Sequence, residues 1–89
     1  MNEYTLTADV YARYNDKPPR YRLYIDDNLL TERDAGWNGL EYYVTETMIV
    51  FLEPGDHAFR LEQIGTDGTV SIKGLQLNGS PISEDFKTI

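Results

Sequence analysis

The sequence predicts an all-β fold: a small antiparallel β-sandwich, jelly-roll-like, with about six or seven strands in two sheets. Three observations carry this. Apolar and polar residues alternate with period two over long stretches, as in strands that bury one face. Turn-forming residues cut these stretches at Glu53-Pro54-Gly55-Asp56, Gly65-Thr66-Asp67-Gly68 and Asn78-Gly79, where Gly, Asn and Asp supply the positive φ that tight turns need. Nowhere does a helical apolar stripe of useful length occur.

The first strand is the alternation of Tyr4, Leu6, Ala8, Val10 and Ala12 against Thr5, Thr7, Asp9 and Tyr11. Asn15 to Pro19 ends it, because consecutive prolines donate no ladder hydrogen bond. Arg20 to Asp26 resumes with Tyr21, Leu23 and Ile25 inward and Arg20, Arg22 and Tyr24 outward. Asp26-Asp27-Asn28 is read as a tight hairpin, with cation binding as the alternative use of the same residues, and Leu29 to Arg33 as the return strand. Asp34 to Gly39 is a loop carrying the only tryptophan, Trp37. Glu41 to Leu52 follows, with Tyr42, Val44, Met48, Val50 and Leu52 on the apolar face. Glu46 breaks that face, so a bulge or a change of sheet is expected near Thr45 to Thr47. His57 to Ile64 and Thr69 to Leu77 complete the set, and in the last the apolar phase shifts across Gly74, which predicts a bulge there.

At 89 residues the chain makes one domain, assigned to residues 1–80, with 81–89 as a tail. Such a domain buries only about 60 to 65% of its unfolded surface, so oligomerisation or docking on a larger assembly is the expected supplement. There is no cysteine to staple it. Ile82, Phe86 and Ile89 dot the tail with apolar side chains, which reads as a docking arm making assembly contacts.

Fifteen acidic and eight basic residues leave a net charge of −7, which repels a phosphate backbone and disfavours nucleic acid as partner. No apolar run approaches a membrane span, and Met1-Asn2-Glu3-Tyr4, without a basic start or an apolar stretch after it, leads to the expectation of no secretion signal. His57 is the only histidine and no Ser or Cys motif stands near it, so no catalytic triad is expected and the residue is read as structural. Neither a metal nor another cofactor is expected, and the chain is read as non-enzymatic. Among the seven tyrosines, Tyr4, Tyr21 and Tyr42 fall on inward phases. Tyr11, Tyr24 and Tyr43 fall on outward ones, and with Trp37 they form the candidate contact set, for sugar or for protein.

Three segments resemble the calcium-dependent xylan-binding carbohydrate-binding modules, which are jelly-roll sandwiches: Tyr21-Arg22-Leu23-Tyr24-Ile25-Asp26-Asp27-Asn28, Leu52-Glu53-Pro54-Gly55-Asp56-His57, and Val70-Ser71-Ile72-Lys73-Gly74-Leu75-Gln76-Leu77-Asn78-Gly79. The chain as a whole is also similar to short proteins encoded by viruses of marine cyanobacteria, in which a stretch like Tyr21 to Arg33 recurs. The modules hold calcium and sugar in an Asp- and Asn-rich loop before the last strand. Here that loop is Gly65-Thr66-Asp67-Gly68, with one carboxylate, where calcium takes about six to eight oxygens.

The resemblance therefore implies a fold and a viral setting without the sugar chemistry. It leads to the expectation of a non-catalytic accessory or structural subunit, made in the host cytoplasm and located on the virion as a capsid decoration or fibre-associated component. Its partners would be viral structural proteins or further copies of itself. Two alternatives stand beside it: a module binding a cell-surface polysaccharide through Trp37, Tyr43 and Tyr24, and a regulator binding a host protein along the edge strand Leu29 to Arg33.

Overall fold

The computed structural model describes residues 1–39 and 41–89. Among them the strands are β1 (Asn2–Arg13), β2 (Arg20–Ile25), β3 (Asn28–Asp34), β4 (Tyr43–Leu52), β5 (Gly55–Ile64), β6 (Thr69–Leu77), β7 (Ser80–Pro81) and β8 (Asp85–Thr88). They form two antiparallel four-stranded sheets. The first has the order β4-β1-β6-β7 and the second β3-β2-β5-β8. Successive strands cross between sheets except at the hairpins β2–β3 and β6–β7, and the two sheets make a small antiparallel β-sandwich.

Both hairpins follow from their turn residues. Asp26 and Asp27 take φ of 49° and 65°, and Asn78 and Gly79 take 51° and 81°, the paired positive values of a two-residue turn whose twist matches its strands. Gly74 has φ 63° and sits where the β1–β6 register slips between Thr7 and Asp9. A Cβ there would lie 3.1 Å from the Asp9 carboxylate, so the bulge predicted from the phase change is confirmed. A second bulge, in β3, leaves Leu30 unpaired opposite Leu23 and Tyr24.

The core is built on β1. Leu6, Ala8, Val10 and Ala12 are buried, and opposite them pack Tyr21, Leu23 and Ile25 of β2 and Phe59 of β5, with Met48, Val50 and Leu52 of β4 beside β1.

Two expectations for β4 need correction. Its pairing with β1 runs without a slip from Asn2↔Leu52 to Tyr11↔Tyr43, so there is no bulge at Thr45 to Thr47. Glu46 instead keeps its inward place, buried, and accepts hydrogen bonds from the Tyr21 hydroxyl at 2.6 Å and from Arg33 at 2.8 Å. An inward carboxylate with two donors satisfies the alternation as well as an apolar residue would. Tyr42 is 66% exposed, because β4 begins only at Tyr43 and the alternation does not extend to it.

Residues 81–89 are woven into the sandwich. Pro81 pairs with Gln76, and Asp85 to Thr88 pair with Ala58 to Gly55. The Phe59 amide donates to the Glu84 carbonyl at 2.7 Å, and the Thr88 hydroxyl donates to the Glu53 carbonyl at 2.7 Å. Phe86 is buried in the core and Ile82 packs on it. Of the three apolar residues assigned to assembly contact, only Ile89 stands fully exposed. The period-two spacing of Phe86 and Thr88, both inward, carries the strand signal.

Phe86→Ala is therefore expected to lower the unfolding free energy by about 3 kcal/mol, measured by chemical denaturation. An unchanged midpoint would mean that this segment packs elsewhere.

Candidate functional site

The outer faces of the two sheets differ in chemistry. On the second sheet, Arg20 and Arg22 of β2 both pair with Glu32 of β3, the Arg20 contact measuring 2.7 Å. Arg20 also reaches Asp34 at 3.1 Å, while Glu62 of β5 takes Arg22 and Arg60 at 3.6 Å each. Hydrogen bonds from Arg22 and Arg20 hold the Glu32 carboxyl below its usual range. Tyr24 lies inside this lattice, its hydroxyl 3.0 Å from Glu62 and its ring covered by the Arg60 guanidinium at 4.2 Å. Exposed pairs of this kind contribute at most about 1 kcal/mol each, and the face is a solvated one.

The outer face of the first sheet is largely neutral. β4 presents Tyr43, Thr45, Thr47, Ile49 and Phe51, all exposed. Its neighbour β1 presents Glu3, Thr5, Thr7, Asp9 and Tyr11 in register with them. Tyr11 and Tyr43 stack with centroids 5.1 Å apart, and the Lys73 ammonium sits 5.1 Å from the Tyr11 ring. The Thr45 hydroxyl donates to Asp9 at 2.7 Å. Tyr43, Ile49 and Phe51 are 50%, 54% and 60% exposed, large apolar groups in one row on an edge strand. Ile49 and Phe51 adjoin on this row, with Tyr43 set apart beyond Thr45 and Thr47, and exposed apolar groups gathered on one face mark contact surfaces.

The four residues assigned to contact are thus divided. Tyr11 and Tyr43 share the first sheet's face, and Tyr24 lies on the opposite sheet. Trp37 is half-buried: its indole N–H donates to the Val10 carbonyl at 2.9 Å, its ring meets Tyr21 edge-on, and Arg33 covers it at 5.6 Å. Trp37 therefore fastens the connection between β3 and β4 to the core. The sequence reading passed over Ile49 and Phe51, although the same alternation that placed Met48 and Val50 inward placed these two outward.

At one end of the sandwich, residues of the β1–β2, β3–β4 and β5–β6 connections, among them Tyr14, Lys17, Asn38 and Asp67, line an open polar cavity of about 790 Å³. None of Tyr11, Tyr24, Trp37 and Tyr43 lines it. Among the described residues no group of three or more His, Asp or Glu side chains is arranged to hold a metal. No helix among these residues is long and apolar enough to cross a membrane.

His57 packs against Phe86 with its side chain 10% exposed. Its Nδ1 lies 2.5 Å from the Asp26 carboxylate and its Nε2 lies 2.7 Å from the Glu53 carbonyl. Both neighbours are acceptors, so the site favours the imidazolium, in which both ring nitrogens donate. The Asp26 hydrogen bond, then the Glu53 carbonyl, raises the His57 pKa above its ordinary 6.5. Burial alone would raise the Asp26 carboxyl, but the His57 hydrogen bond, the Ala58 amide and the His57 charge together hold it below 3.8. The pair clasps the β2–β3 turn to β5, with the Ala58 amide donating to Asp26 at 2.8 Å.

No protein-family model, curated protein or solved structure matches this chain.

The His57–Asp26 pair fixes a pH dependence. Its contribution is whole between the ordinary carboxylate pKa and 6.5, declines as pH rises through the raised His57 value, and declines as pH falls through the lowered Asp26 value. Thermal melts across pH are expected to show the alkaline decline in the wild type and to lack it in His57→Gln; the same decline in both would remove the assignment.

Proposed function

We propose that this chain is a non-catalytic, virus-encoded structural subunit on the virion surface, as a capsid decoration or fibre-associated component, and that it attaches through the outer face of its first sheet along β4. The observation supporting the attachment surface is the exposed Tyr43–Ile49–Phe51 row on a protein of net charge −7, while the opposite face is laced with ion pairs. Depletion of charge and enrichment of aromatic side chains are the compositional signature of an interface core. The His57 ring supports a structural part for that residue, since both its nitrogens are engaged, one by Asp26 and the other by the Glu53 carbonyl. The viral setting rests on the sequence resemblance.

The polysaccharide alternative is less well served. Stacking by Trp37, Tyr43 and Tyr24 together requires one platform, and these three side chains lie on the core edge and on two opposite faces. A host-binding role along β3 also fits less well than one along β4. β3 is an edge strand, but it is bulged and carries Glu32, Arg33 and Asp34, features that discourage strand addition.

Purified domain is expected to bind gradient-purified virus particles saturably. The double variant Ile49→Lys, Phe51→Lys is expected to bind on the order of 100-fold more weakly with an unchanged unfolding midpoint. Equal binding by the variant would sink the assignment of this face, and absence of the chain from purified particles by mass spectrometry would sink the virion role.

A further inference from the structure

Four strands form the rims of the sandwich: β4 and β7 in the first sheet, β3 and β8 in the second. Natural sheets guard such rims with short strands, proline, charge or bulges. β7 is two residues long and contains Pro81. β8 has four residues and carries Asp85 and Lys87. β3 is bulged and charged. β4 has none of these devices. It is ten residues long, its register with β1 has no slip, and its outward row of Tyr43, Thr45, Thr47, Ile49 and Phe51 bears no charge. Its one carboxylate on the inner side, Glu46, is already held by Tyr21 and Arg33.

The polarity of the rim follows from hydrogen bonds on β1. Thr5 exchanges both backbone groups with Asn78, beyond β6: its amide donates to the Asn78 side chain and its carbonyl accepts from the Asn78 amide, each at 2.8 Å. On the opposite side the Ala12 carbonyl accepts from the Gly39 amide at 3.1 Å, on the β4 side. Even-numbered β1 residues therefore bond toward β4, through the pairs Tyr4↔Val50, Leu6↔Met48, Ala8↔Glu46 and Val10↔Val44. By the alternation of an antiparallel ladder, the backbone N–H and C=O of Tyr43, Thr45, Thr47, Ile49 and Phe51 point out from the rim. The five residues with free backbone groups are those with the uncharged outward side chains.

We infer that β4 pairs with β4 of a second copy of this chain, antiparallel across a two-fold axis at Thr47, to make one continuous eight-stranded sheet. The row is self-complementary about that centre, as an isologous contact requires. Thr47 meets Thr47 of the second copy, Thr45 meets Ile49, and Tyr43 meets Phe51. The last pairing adds a ring to the Tyr11–Tyr43 stack, and aromatic and β-branched partners stabilise a cross-strand pair. Within β4 no charged side chain lies opposite another across the junction, and Glu41 and Glu53, which face each other just beyond its two ends, are both exposed to solvent. Glu3 and Asp9 stand one strand back, beside Phe51 and Thr45. The charges on the neighbouring β3 rim are paired at home, Glu32 with Arg20 and Arg22, Asp34 with Arg20, and Arg33 with Glu46. Two molecules of charge −7 thus meet along a seam whose outward row is neutral from Tyr43 to Phe51. This pairing deepens the attachment role proposed above and rests on the same face, because the doubled sheet presents that face to its partner.

Sedimentation of the full chain across the micromolar range tests this. The wild type is expected at about twice the 10.2 kDa chain mass. Thr47→Lys and Thr47→Glu place like charges opposite each other at the axis, so each alone is expected at single-chain mass, with a cooperative unfolding midpoint that no longer rises with concentration as the wild type's does, and an equimolar mixture is expected to regain the doubled mass. A wild type at single-chain mass throughout, doubled mass in both variants, or no recovery on mixing would each overturn the pairing. Particle binding separates the two proposals. Wild-type chains that stay single but bind particles in a Phe51-dependent way sink the self-pairing and leave the attachment role. A dimer that bridges through Thr47 but never binds particles does the reverse.

Discussion

The structure depends on the central placement of β1. This strand is hydrogen-bonded on both sides, to β4 along ten paired positions and to β6 across a bulge, and its inward row is closed to solvent. Two of those inward residues are alanines, Ala8 and Ala12, which lets bulky side chains of the facing sheet, Tyr21 first among them, fill the interior. A domain of this size has few layers to bury, and so each inward position of β1 carries a large share of the core. The bulge at Gly74 lets β6 follow β1 past Thr7 and still return its apolar residues to the interior.

Polar groups are used inside this core as fasteners between layers. Glu46 on the first sheet takes hydrogen bonds from Tyr21 and Arg33 on the second, so it ties β4 to β2 and β3 where no main-chain bond reaches. Burial, then the Glu46 hydrogen bond, pushes the Tyr21 hydroxyl far above its ordinary pKa of 10, keeping it a donor at any ordinary pH. Trp37 acts similarly at the rim through the Val10 carbonyl. His57 and Asp26 hold the β2–β3 turn on β5. Each of these ties joins elements distant in sequence, and among the described residues no buried side-chain polar atom is left without a partner, which is the condition under which a buried polar group is tolerable.

The same economy separates the two faces. Salt bridges on the second sheet keep its long charged side chains ordered on its own surface and leave that face suited to water. The first sheet has threonines, tyrosines and aliphatic residues at the equivalent places, with its acidic groups Glu3 and Asp9 set back from the rim. A contact surface can be formed there with little desolvation of charge, which is one of the costs of association.

Sequence alone determined the class of fold, the inward rows of β1 and β2, the two positive-φ turns and the bulge at Gly74, because these depend on residues close in the chain and on a period of two. It also determined that Tyr11 and Tyr43 point outward. Only the tertiary structure decided the rest. Glu46 looked like a break in β4 because its donors, Tyr21 and Arg33, come from other strands, and no local pattern reveals a partner across a sandwich. Trp37 and Tyr24 looked available for contact because their coverings, the Val10 carbonyl and the Arg60 guanidinium, are likewise distant in sequence. The segment after Pro81 looked like an arm because strands of two and four residues give too short an alternation to read, and they become strands only where β6 and β5 offer free edges. Which strand would be left as an unguarded rim was set by the order of strands in the sheet, a property of long-range pairing that alternation within β4 does not encode.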